Sequence, residues 1–531
     1  MSDDEARPAA PAGHPAEWRP RHNPWLIAFS VMLATFMEVL DTSVANVALP
    51  HIAGTLSATP EEATWVLTSY LVSNAIILPT AAWLSAFFGR KRFLLTCIAI
   101  FTLASAACGA ATHLDLLVLA RVLQGVGGGA LQPMAQSILL ESFPPAKRGV
   151  AMAAYGMGVV VAPILGPTLG GWVTENYTWR WVFYINLPVG ILAMLMVHAF
   201  VDDSPFSRRG RGERIDYIGF GLMALGLSTL QILLDRGQED DWFAATWVCW
   251  FAAISAVALV AFVLRELSAD HPIVDLRILR NRNFAVGTAL ITLLGVILYS
   301  TIAMLPLYLQ TLMGYSALLS GLTMTPRGMG ALFSNIVVGR LIGRIDSRIF
   351  IALGLCLLAT SGFLFSHMNL LIGMPNVVWP NVLNGVGTAM VFVTLATTTM
   401  GMLRNEQLGN AAGIFNLMRN IGGSIGIAAV ATFLSRRTQV HQAVLVSHLT
   451  PHDPAYQQWL ATATKGLTSR VGATAAGPMA FGLLHNVLGQ QARLLAFMDN
   501  FRIVSYLTLF AIPLVLLFKK ARPRPDGPGA H

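Results

Sequence analysis

Two apolar stretches, LVLARVLQGVGGGALQP at 117–133 and AMAAYGMGVVVAPILGPTLGG at 151–171, decide the fold of this chain. Each is about as long as a helix that crosses a bilayer, which needs about 20 residues. Small or charged residues recur every fourth position along one face of each stretch: Arg121, Gly125 and Gly129 on the first, and Gly158, Ala162, Gly166 and Gly170 on the second. Small residues at this spacing allow membrane helices to pack closely.

Arg121 is a charged side chain inside the first of these apolar stretches. On membrane-insertion scales, a guanidinium at the centre of a span costs about 2.5–3.5 kcal/mol. We therefore expect Arg121 to face protein, water or a carboxylate rather than lipid, and we take it as a candidate functional residue.

The composition indicates a polytopic membrane protein. Of 531 residues, 55% are hydrophobic and only 12% are charged, against roughly 25% charged in soluble domains. Residues 1–23 are polar and have no apolar core, so the first span is expected to be an uncleaved anchor. The cysteines fall in apolar spans without paired spacing, so we predict no disulfide, metal site or cofactor. The net charge of +8 comes from short basic loops and indicates topology, not nucleic-acid binding.

Hydropathy predicts an all-α protein with fourteen transmembrane helices. The predicted spans are 25–49, 63–86, 93–111, 116–140, 149–172, 179–200, 216–234, 244–264, 284–308, 320–342, 349–368, 376–402, 410–434 and 501–518. Alternate loops carry an excess of cations: Arg90 to Arg92, Lys147 and Arg148, Arg208, Arg209, Arg211 and Arg214, Arg277, Arg280 and Arg282, and Arg344 and Arg348. The positive-inside rule then places both termini in the cytoplasm.

An internal repeat appears when the chain is compared with itself at an offset of about 260 residues. RVLQGVG at 121–127 matches NVLNGVG at 381–387, which predicts six spans, two inserted spans and six more, with two bundles around a central site. The expected organisation is a cytoplasmic tail at 1–24, a bundle at 25–200, inserted helices and linkers at 201–283, a second bundle at 284–518 that includes an external loop at 435–500, and a cytoplasmic tail at 519–531.

Several motifs resemble those of the major facilitator superfamily, in its fourteen-span drug:proton antiporter branch (DHA2, EmrB/QacA-type). They are RVLQGVGGGA, GPTLGG, LDTSVANVALP at 40–50, WRWVFYINLPVG at 179–190, DRGQEDDW at 235–242 and HPIVDL at 271–276. The resemblance implies the major facilitator fold in a bacterial inner membrane and multidrug efflux in exchange for protons. It also implies a periplasmic EmrA-like adaptor and a TolC-like outer-membrane channel.

The turn after the second span departs from the family pattern. The family has an Asp followed by an Arg where this chain has Ala86 and Phe87, while Gly89, Arg90 and Lys91 of the cytoplasmic loop motif remain. We therefore expect the cytoplasmic gate to be held by other contacts or to be held less firmly.

The candidate proton-coupling residues are Glu38, Asp41 and Arg121. Glu38 and Asp41 are three residues apart on one helix face, and neighbouring carboxylates in a low dielectric resist ionising together. Either one of them exchanges a proton with Arg121 as its changing partner, or one pairs permanently with Arg121 and the other lies near an aqueous end.

A second set of candidates is polar or flexible. The residues expected to line a substrate cavity are Gln124, Asn46, Asn416, Asn420 and Arg419, although hydrogen bonds between helices would explain the same polarity. The antiporter motif of the fifth span contains Gly166, Pro167, Gly170 and Gly171, where Pro167 removes a helix hydrogen bond and the glycines permit bending or tight packing. Arg327 and Arg340 are less distinctive, and Arg340 is expected to snorkel to the cytoplasm.

The sequence contains no nucleotide-binding P-loop, no H-E-x-x-H and no G-x-S-x-G, so an ion gradient is the expected energy source and an enzyme is not predicted. The predicted function is the proton-coupled export of hydrophobic or amphipathic compounds. Two alternatives stay open: a dedicated exporter of one metabolite, and a non-transporting sensor or scaffold with the same fold. The loop at 435–500 is expected to lie on the membrane surface, to dock an adaptor or to be an ordinary loop.

Overall fold

A computed structural model describes residues 20–144, 147–203, 216–270, 272–342, 344–401, 403–450 and 452–518. The predicted tails, apart from residues 20–24, and the cations Arg208, Arg209, Arg211 and Arg214 lie outside these residues. The described parts form eighteen α-helices: α1 Pro24–Thr55, α2 Pro60–Ala63, α3 Trp65–Phe88, α4 Arg90–Ala110, α5 Leu114–Gly128, α6 Leu131–Ser142, α7 Arg148–Asn176, α8 Trp181–Tyr184, α9 Asn186–Phe200, α10 Tyr217–Arg236, α11 Thr246–Ser268, α12 Arg282–Thr311, α13 Ala317–Leu341, α14 Ser347–Phe365, α15 Met374–Met400, α16 Asn405–Ser447, α17 Pro454–Val471 and α18 Ala473–Ala511.

The predicted all-α membrane fold is confirmed. Thirteen helical segments in the described residues are long and apolar enough to cross a membrane. A further helix, Ala317–Leu341, coincides with the predicted tenth span and carries Arg327 and Arg340. Each of the fourteen predicted spans therefore overlaps a long helix.

The predicted fourth span, 116–140, is confirmed as one apolar helical segment, Leu114–Ser142, with a short break inside it. α5 ends at Gly128 and α6 begins at Leu131. Pro133 has no N–H to donate to the carbonyl of Gly129, and the run of glycines before it has little helix propensity. The break separates the part of the span that carries Arg121 from the part that carries Gln132 and Gln136.

The internal repeat is visible in equivalent contacts between the two halves, which we define as α1–α9 and as α12–α16 with α18. A Cβ added to Gly149 would lie 2.0 Å from Ile342 of the other half, and one added to Gly409 would lie 3.3 Å from Ala82. Gly149 corresponds to Gly409 in the repeat, and Ala82 corresponds to Ile342. The two halves thus contact each other at one end through two equivalent contacts, Gly149 with Ile342 and Gly409 with Ala82, which the repeat relates to each other.

The inserted helix α10 contacts both halves. Arg236 donates to Thr64 Oγ1 at 2.6 Å on the N-terminal side, and Gln231 Nε2 donates to Ser424 Oγ at 2.9 Å on the C-terminal side. Its partner α11 packs on α10 through Gly226 and Leu259 but is largely exposed.

The segment predicted as an external loop at 435–500 is helical, which corrects that prediction. α16 continues past the predicted end of span thirteen to Ser447, and α18 begins at Ala473. Between them α17 starts with the Asp453 cap and Pro454, and it is followed by Gly472 at φ +84°. These are sequence signals for helix ends that alternating polarity obscured. His441 and Asp499, 2.8 Å apart, join the two long helices.

Candidate functional site

Asp41 and Arg121 form a fully buried ion pair inside the N-terminal half. Arg121 Nη1 lies 2.6 Å from Asp41 Oδ2. The other carboxylate oxygen accepts from Gln124 Nε2 at 2.9 Å and from Asn186 Nδ2 at 2.7 Å. Asp41 therefore has one cationic and two amide donors, which is the pairing that a buried charge requires.

The position of Arg121 is fixed by α3 and by an aromatic ring. Its Nε donates to the carbonyl of Val66 at 2.9 Å, and its guanidinium carbon lies 4.3 Å from the centre of the Tyr70 ring. Gly125, one turn along, makes this approach possible, because an added Cβ would lie 2.5 Å from the carbonyl oxygen of Tyr70. The expected contact of Arg121 with a carboxylate is thus present.

Glu38 has a different environment from Asp41. It is 4% exposed, and it accepts hydrogen bonds from Tyr70 Oη at 3.1 Å, Asn74 Nδ2 at 3.3 Å and Gln132 Nε2 at 2.7 Å. All three donors are neutral. The Tyr70 hydroxyl can donate to an ionised carboxylate or accept from a protonated one, so either state of Glu38 keeps this hydrogen bond.

Gln132 links Glu38 to the C-terminal half. While its Nε2 donates to Glu38, its Oε1 accepts from Arg419 Nη2 of α16. One turn away, Asn416 Nδ2 donates to Gln136 Oε1 at 2.7 Å. Two amides on α6 therefore connect the acidic site of one half to the polar face of the other.

The small residues that recur every fourth position in 117–133 and in 151–171 pack on different helices. We call these two sets the α5 ladder and the α7 ladder. The α5 ladder packs on α3, where a Cβ on Gly129 would lie 2.6 Å from the Asn74 carbonyl oxygen. The α7 ladder packs on α1, where a Cβ on Gly166 would lie 2.1 Å from Ser43 Oγ and one on Gly170 would lie 3.1 Å from Val44. Gly158 has no such neighbour within 4 Å, so close packing does not explain that position.

Pro167 leaves a carbonyl that α1 satisfies. The proline has no N–H to donate to the carbonyl of Pro163, four residues earlier. Ser43 Oγ donates to that oxygen at 2.9 Å. The glycines of the antiporter motif therefore allow α7 to pack closely on α1, and the hydrogen bond from Ser43 links the two helices. Gly171, the last residue of the motif, is also buried.

The cytoplasmic loop motif is a one-residue junction between α3 and α4. Gly89 has φ +86°, a conformation that favours glycine. Arg90 is buried and pairs with Glu141 and Ser137 of α6, while the backbone N–H of Lys91 donates to Asp203 at 2.9 Å. Arg90 thus has an acidic partner on the fourth span, although Ala86 and Phe87 replace the family's Asp and Arg.

Contacts between the halves at this end use other residues. Arg148 Nη2 donates to Asn405 Oδ1 at 3.1 Å, beside the packing of Gly149 on Ile342. A cavity of about 360 Å³ lies next to this contact. Its lining includes Trp83, Arg90, Glu141, Asp275 and Asn410.

The structure brings together most of the residues chosen from sequence, but not all. Asn420 is half-buried and accepts from Arg419 at 3.2 Å, whereas Asn46 is exposed on α1, outside the buried network. Sequence reasoning missed the neutral partners Tyr70, Asn74, Gln132, Gln136 and Asn186. A signal was available, because Tyr70 and Asn74, and likewise Gln132 and Gln136, are four apart within apolar spans.

Comparisons with known proteins agree with this architecture. A family model described as Major Facilitator Superfamily matches residues 31–427. The chain is 37% identical to the fatty acid resistance protein FarB of Neisseria gonorrhoeae over 95% of this chain and 97% of that protein. It is also 37% identical to the multidrug export protein EmrB of Escherichia coli K12 over 81% and 84% of the two chains. The solved structure of the human organic anion transporter MFSD10 (TETRAN) has a similar fold, with a TM-score of 0.58 at 13% identity, over 93% of this chain and all of that one.

Proposed function

The chain belongs to the Major Facilitator Superfamily, and from this premise we propose that it exports hydrophobic or amphipathic compounds in exchange for protons. It is a multi-pass membrane transporter and not an enzyme. The predicted drug-efflux class is confirmed by its multidrug-export relatives. Two relatives with the same 37% sequence identity are named for multidrug export and for fatty acid resistance. Both the export of many compounds and the export of one compound therefore remain consistent with these relatives.

The observation that carries the coupling proposal is the position of Glu38. Its carboxylate has only neutral hydrogen-bond donors and reaches the opposite half through Gln132 and Arg419. We assign proton exchange to Glu38, with the Asp41–Arg121 pair as the fixed charge beside it. Such an acid sits where a change of protonation can bias the contact between the halves, as alternating access requires.

Glu38→Gln in proteoliposomes tests this assignment. The variant keeps a hydrogen-bonding side chain of similar size but cannot carry a proton. We expect flux driven by a pH gradient to fall by at least tenfold, while downhill substrate flux without a gradient remains. The control is Glu175→Gln, which makes the same change at an exposed carboxylate. Gradient-driven flux at the wild-type rate in Glu38→Gln would remove Glu38 from the mechanism.

We further propose a bacterial inner-membrane location with both termini in the cytoplasm, supported by the basic loops. This orientation directs α17 and the ends of α16 and α18 toward the periplasm. α16 has 43 residues and is therefore about 64 Å long, twice the thickness of the hydrocarbon core.

The projecting helices expose apolar side chains such as Val440, Val444, Phe481 and Val487. They are the part of the chain that we propose binds an EmrA-like adaptor, which would connect to a TolC-like channel. Deleting 448–490 and joining the ends with a Gly-Ser linker preserves the His441–Asp499 contact. Loss of adaptor co-purification with normal flux in vesicles is expected, whereas retained co-purification would place the adaptor elsewhere.

A further inference from the structure

Arg419 is a buried cation with unused hydrogen-bonding capacity. It is 2% exposed, and its Nη2 donates to Gln132 and Asn420. Its Nε and Nη1 are buried without a hydrogen-bond partner. No ion pair to Arg419 is found among the residues that the structure describes. An unpaired buried guanidinium is costly, which makes this position a candidate site for an anionic ligand.

The surroundings of Arg419 contain more free donors than free acceptors. Tyr155 is within hydrogen-bonding reach of Gln136, but neither Gln136 Nε2 nor the Tyr155 hydroxyl makes a regular hydrogen bond. Asn416 Oδ1 is a free acceptor, and the Tyr155 hydroxyl can both donate and accept. The two unused nitrogens of Arg419 are therefore the excess of donors, and a carboxylate accepts from an Arg fork in a bidentate manner.

Aromatic rings complete the site between the halves. The Arg419 guanidinium carbon lies 5.8 Å from the centre of the Phe392 ring, and the Tyr155 ring stacks on Phe392 with centroids 6.4 Å apart. Tyr155 belongs to α7 and Gln136 to α6, while Phe392 and Arg419 belong to α15 and α16. The site therefore lies where four helices from both halves meet. Its guanidinium suits the charged end of an amphipathic anion, and its aromatic rings suit the apolar end.

We propose that Arg419, with Gln136 and Tyr155, binds the carboxylate of anionic amphipathic substrates. This inference rests on the proposed export function and names one substrate class for it. Gln132 then has a second role, because it orients Arg419 on one side and contacts Glu38 on the other. A planar guanidinium suits this task better than an ammonium, because its donors are fixed in a fork.

The test is equilibrium binding to the full-length protein in nanodiscs, with three probes that share a ten-carbon chain: decanoate, decanol and decyltrimethylammonium. At about pH 7.5 the carboxylate is ionised. We expect the wild type to bind decanoate more tightly than decanol. Arg419→Gln should weaken decanoate binding by about ten- to a hundredfold and leave decyltrimethylammonium within about threefold, since neutral and cationic probes do not use the guanidinium.

Further variants separate binding from folding. Arg340→Gln removes an exposed arginine and should leave all three affinities unchanged. Tyr155→Phe keeps the ring and should weaken only decanoate, by about three- to tenfold. Equal affinity of the wild type for decanoate and decanol, or unchanged decanoate affinity in Arg419→Gln, would overturn the proposal. Binding needs no gradient, so a protein that binds decanoate but shows no gradient-driven flux would contradict the export function and not this site.

Discussion

In the N-terminal half, Asp41 and Arg121 form a buried ion pair, whereas the corresponding positions of the C-terminal half hold the neutral Thr301 and Asn381. The C-terminal half instead carries Arg327 and Arg419, each with two buried nitrogens that lack a hydrogen-bond partner. Some glycines at close helix contacts are shared, since Gly125, Gly149 and Gly166 correspond to Gly385, Gly409 and Gly426, whereas Gly129 and Gly170 correspond to Ala389 and Val430. The repeat has therefore kept some of its close helix contacts and diverged in its charges.

The two halves thus differ in whether their buried cations have an acidic partner. The charge of Arg121 is paired with Asp41 within its own half, although Arg121 Nη2 has no hydrogen-bond partner. Arg327 and Arg419 of the other half have no ion pair among the residues that the structure describes. The acidic Glu38 and the cationic Arg419 meet across the boundary through one glutamine, so the proposed proton site and the proposed carboxylate site are close together.

The largest expected effect comes from breaking the ion pair of the N-terminal half. Removing one partner of a buried pair typically costs about 3–5 kcal/mol, so Asp41→Asn should lower the unfolding temperature sharply. The double variant Asp41→Asn with Arg121→Gln should recover part of that loss, because no uncompensated charge remains. Thermal unfolding in nanodiscs measures both. A single variant as stable as the wild type would show that the charge of Asp41 is not needed to hold Arg121.

A smaller effect is expected at the glycines that both halves share. A Cβ on Gly125 would lie 2.0 Å from Ser73 Oγ, and one on the corresponding Gly385 would lie 1.9 Å from the Arg327 carbonyl oxygen. Gly125→Ala and Gly385→Ala should each cost about 1–3 kcal/mol through overpacking.

Gly158→Ala is the matched control for these two variants, since it has open space around it. It should be neutral or stabilising by up to about 1 kcal/mol, because alanine favours a helix more than glycine does. The ranking of the three unfolding temperatures checks the repeat directly. Loss of stability in only one of Gly125→Ala and Gly385→Ala would mean that the two bundles are packed differently.

The smallest effect tests a feature that only one half has. Pro163 and Pro167 of α7 correspond to Gly423 and Ile427 of α16, and Ser43 serves the carbonyl that Pro167 leaves free. Ser43→Ala should cost about 1 kcal/mol. In a Pro167→Ala background the backbone can make that bond itself, so the same change should cost less. Equal costs in the two backgrounds would show that Ser43 does not compensate for the proline.

The sequence predicted the parts of this molecule that depend on local pattern. Long apolar runs predicted every span, and the cost of a charge in lipid predicted that Arg121 would face protein, water or a carboxylate rather than lipid. The 260-residue offset matched Gly125 with Gly385, and each of them lies in a close helix contact. These features follow from hydropathy and from spacing along one helix.

The neutral network could not be predicted in the same way. The spacing of Tyr70 with Asn74 and of Gln132 with Gln136 marks polar helix faces, but their partners, like those of Asn186, depend on which helices lie side by side. Spacing alone did not distinguish Asp41 from Glu38 as the proton carrier, whereas in the structure Asp41 pairs with Arg121 and Glu38 accepts only from neutral donors. The end of α16, α17 and the beginning of α18 were mistaken for a loop because their alternating polarity hid the cap at Asp453 and the stop at Gly472.

The length of α16 has a mechanical consequence. It is a single helix without an internal proline that carries Asn405 near the boundary of the halves, Arg419 at the polar site and His441 in the projecting part. When one continuous helix rotates about one end, its far end moves the most. A tilt of the C-terminal half large enough to release Arg419 from Gln132 by a few ångströms would sweep the tip near Ser447 through a longer arc, so that events in the membrane become displacement outside it.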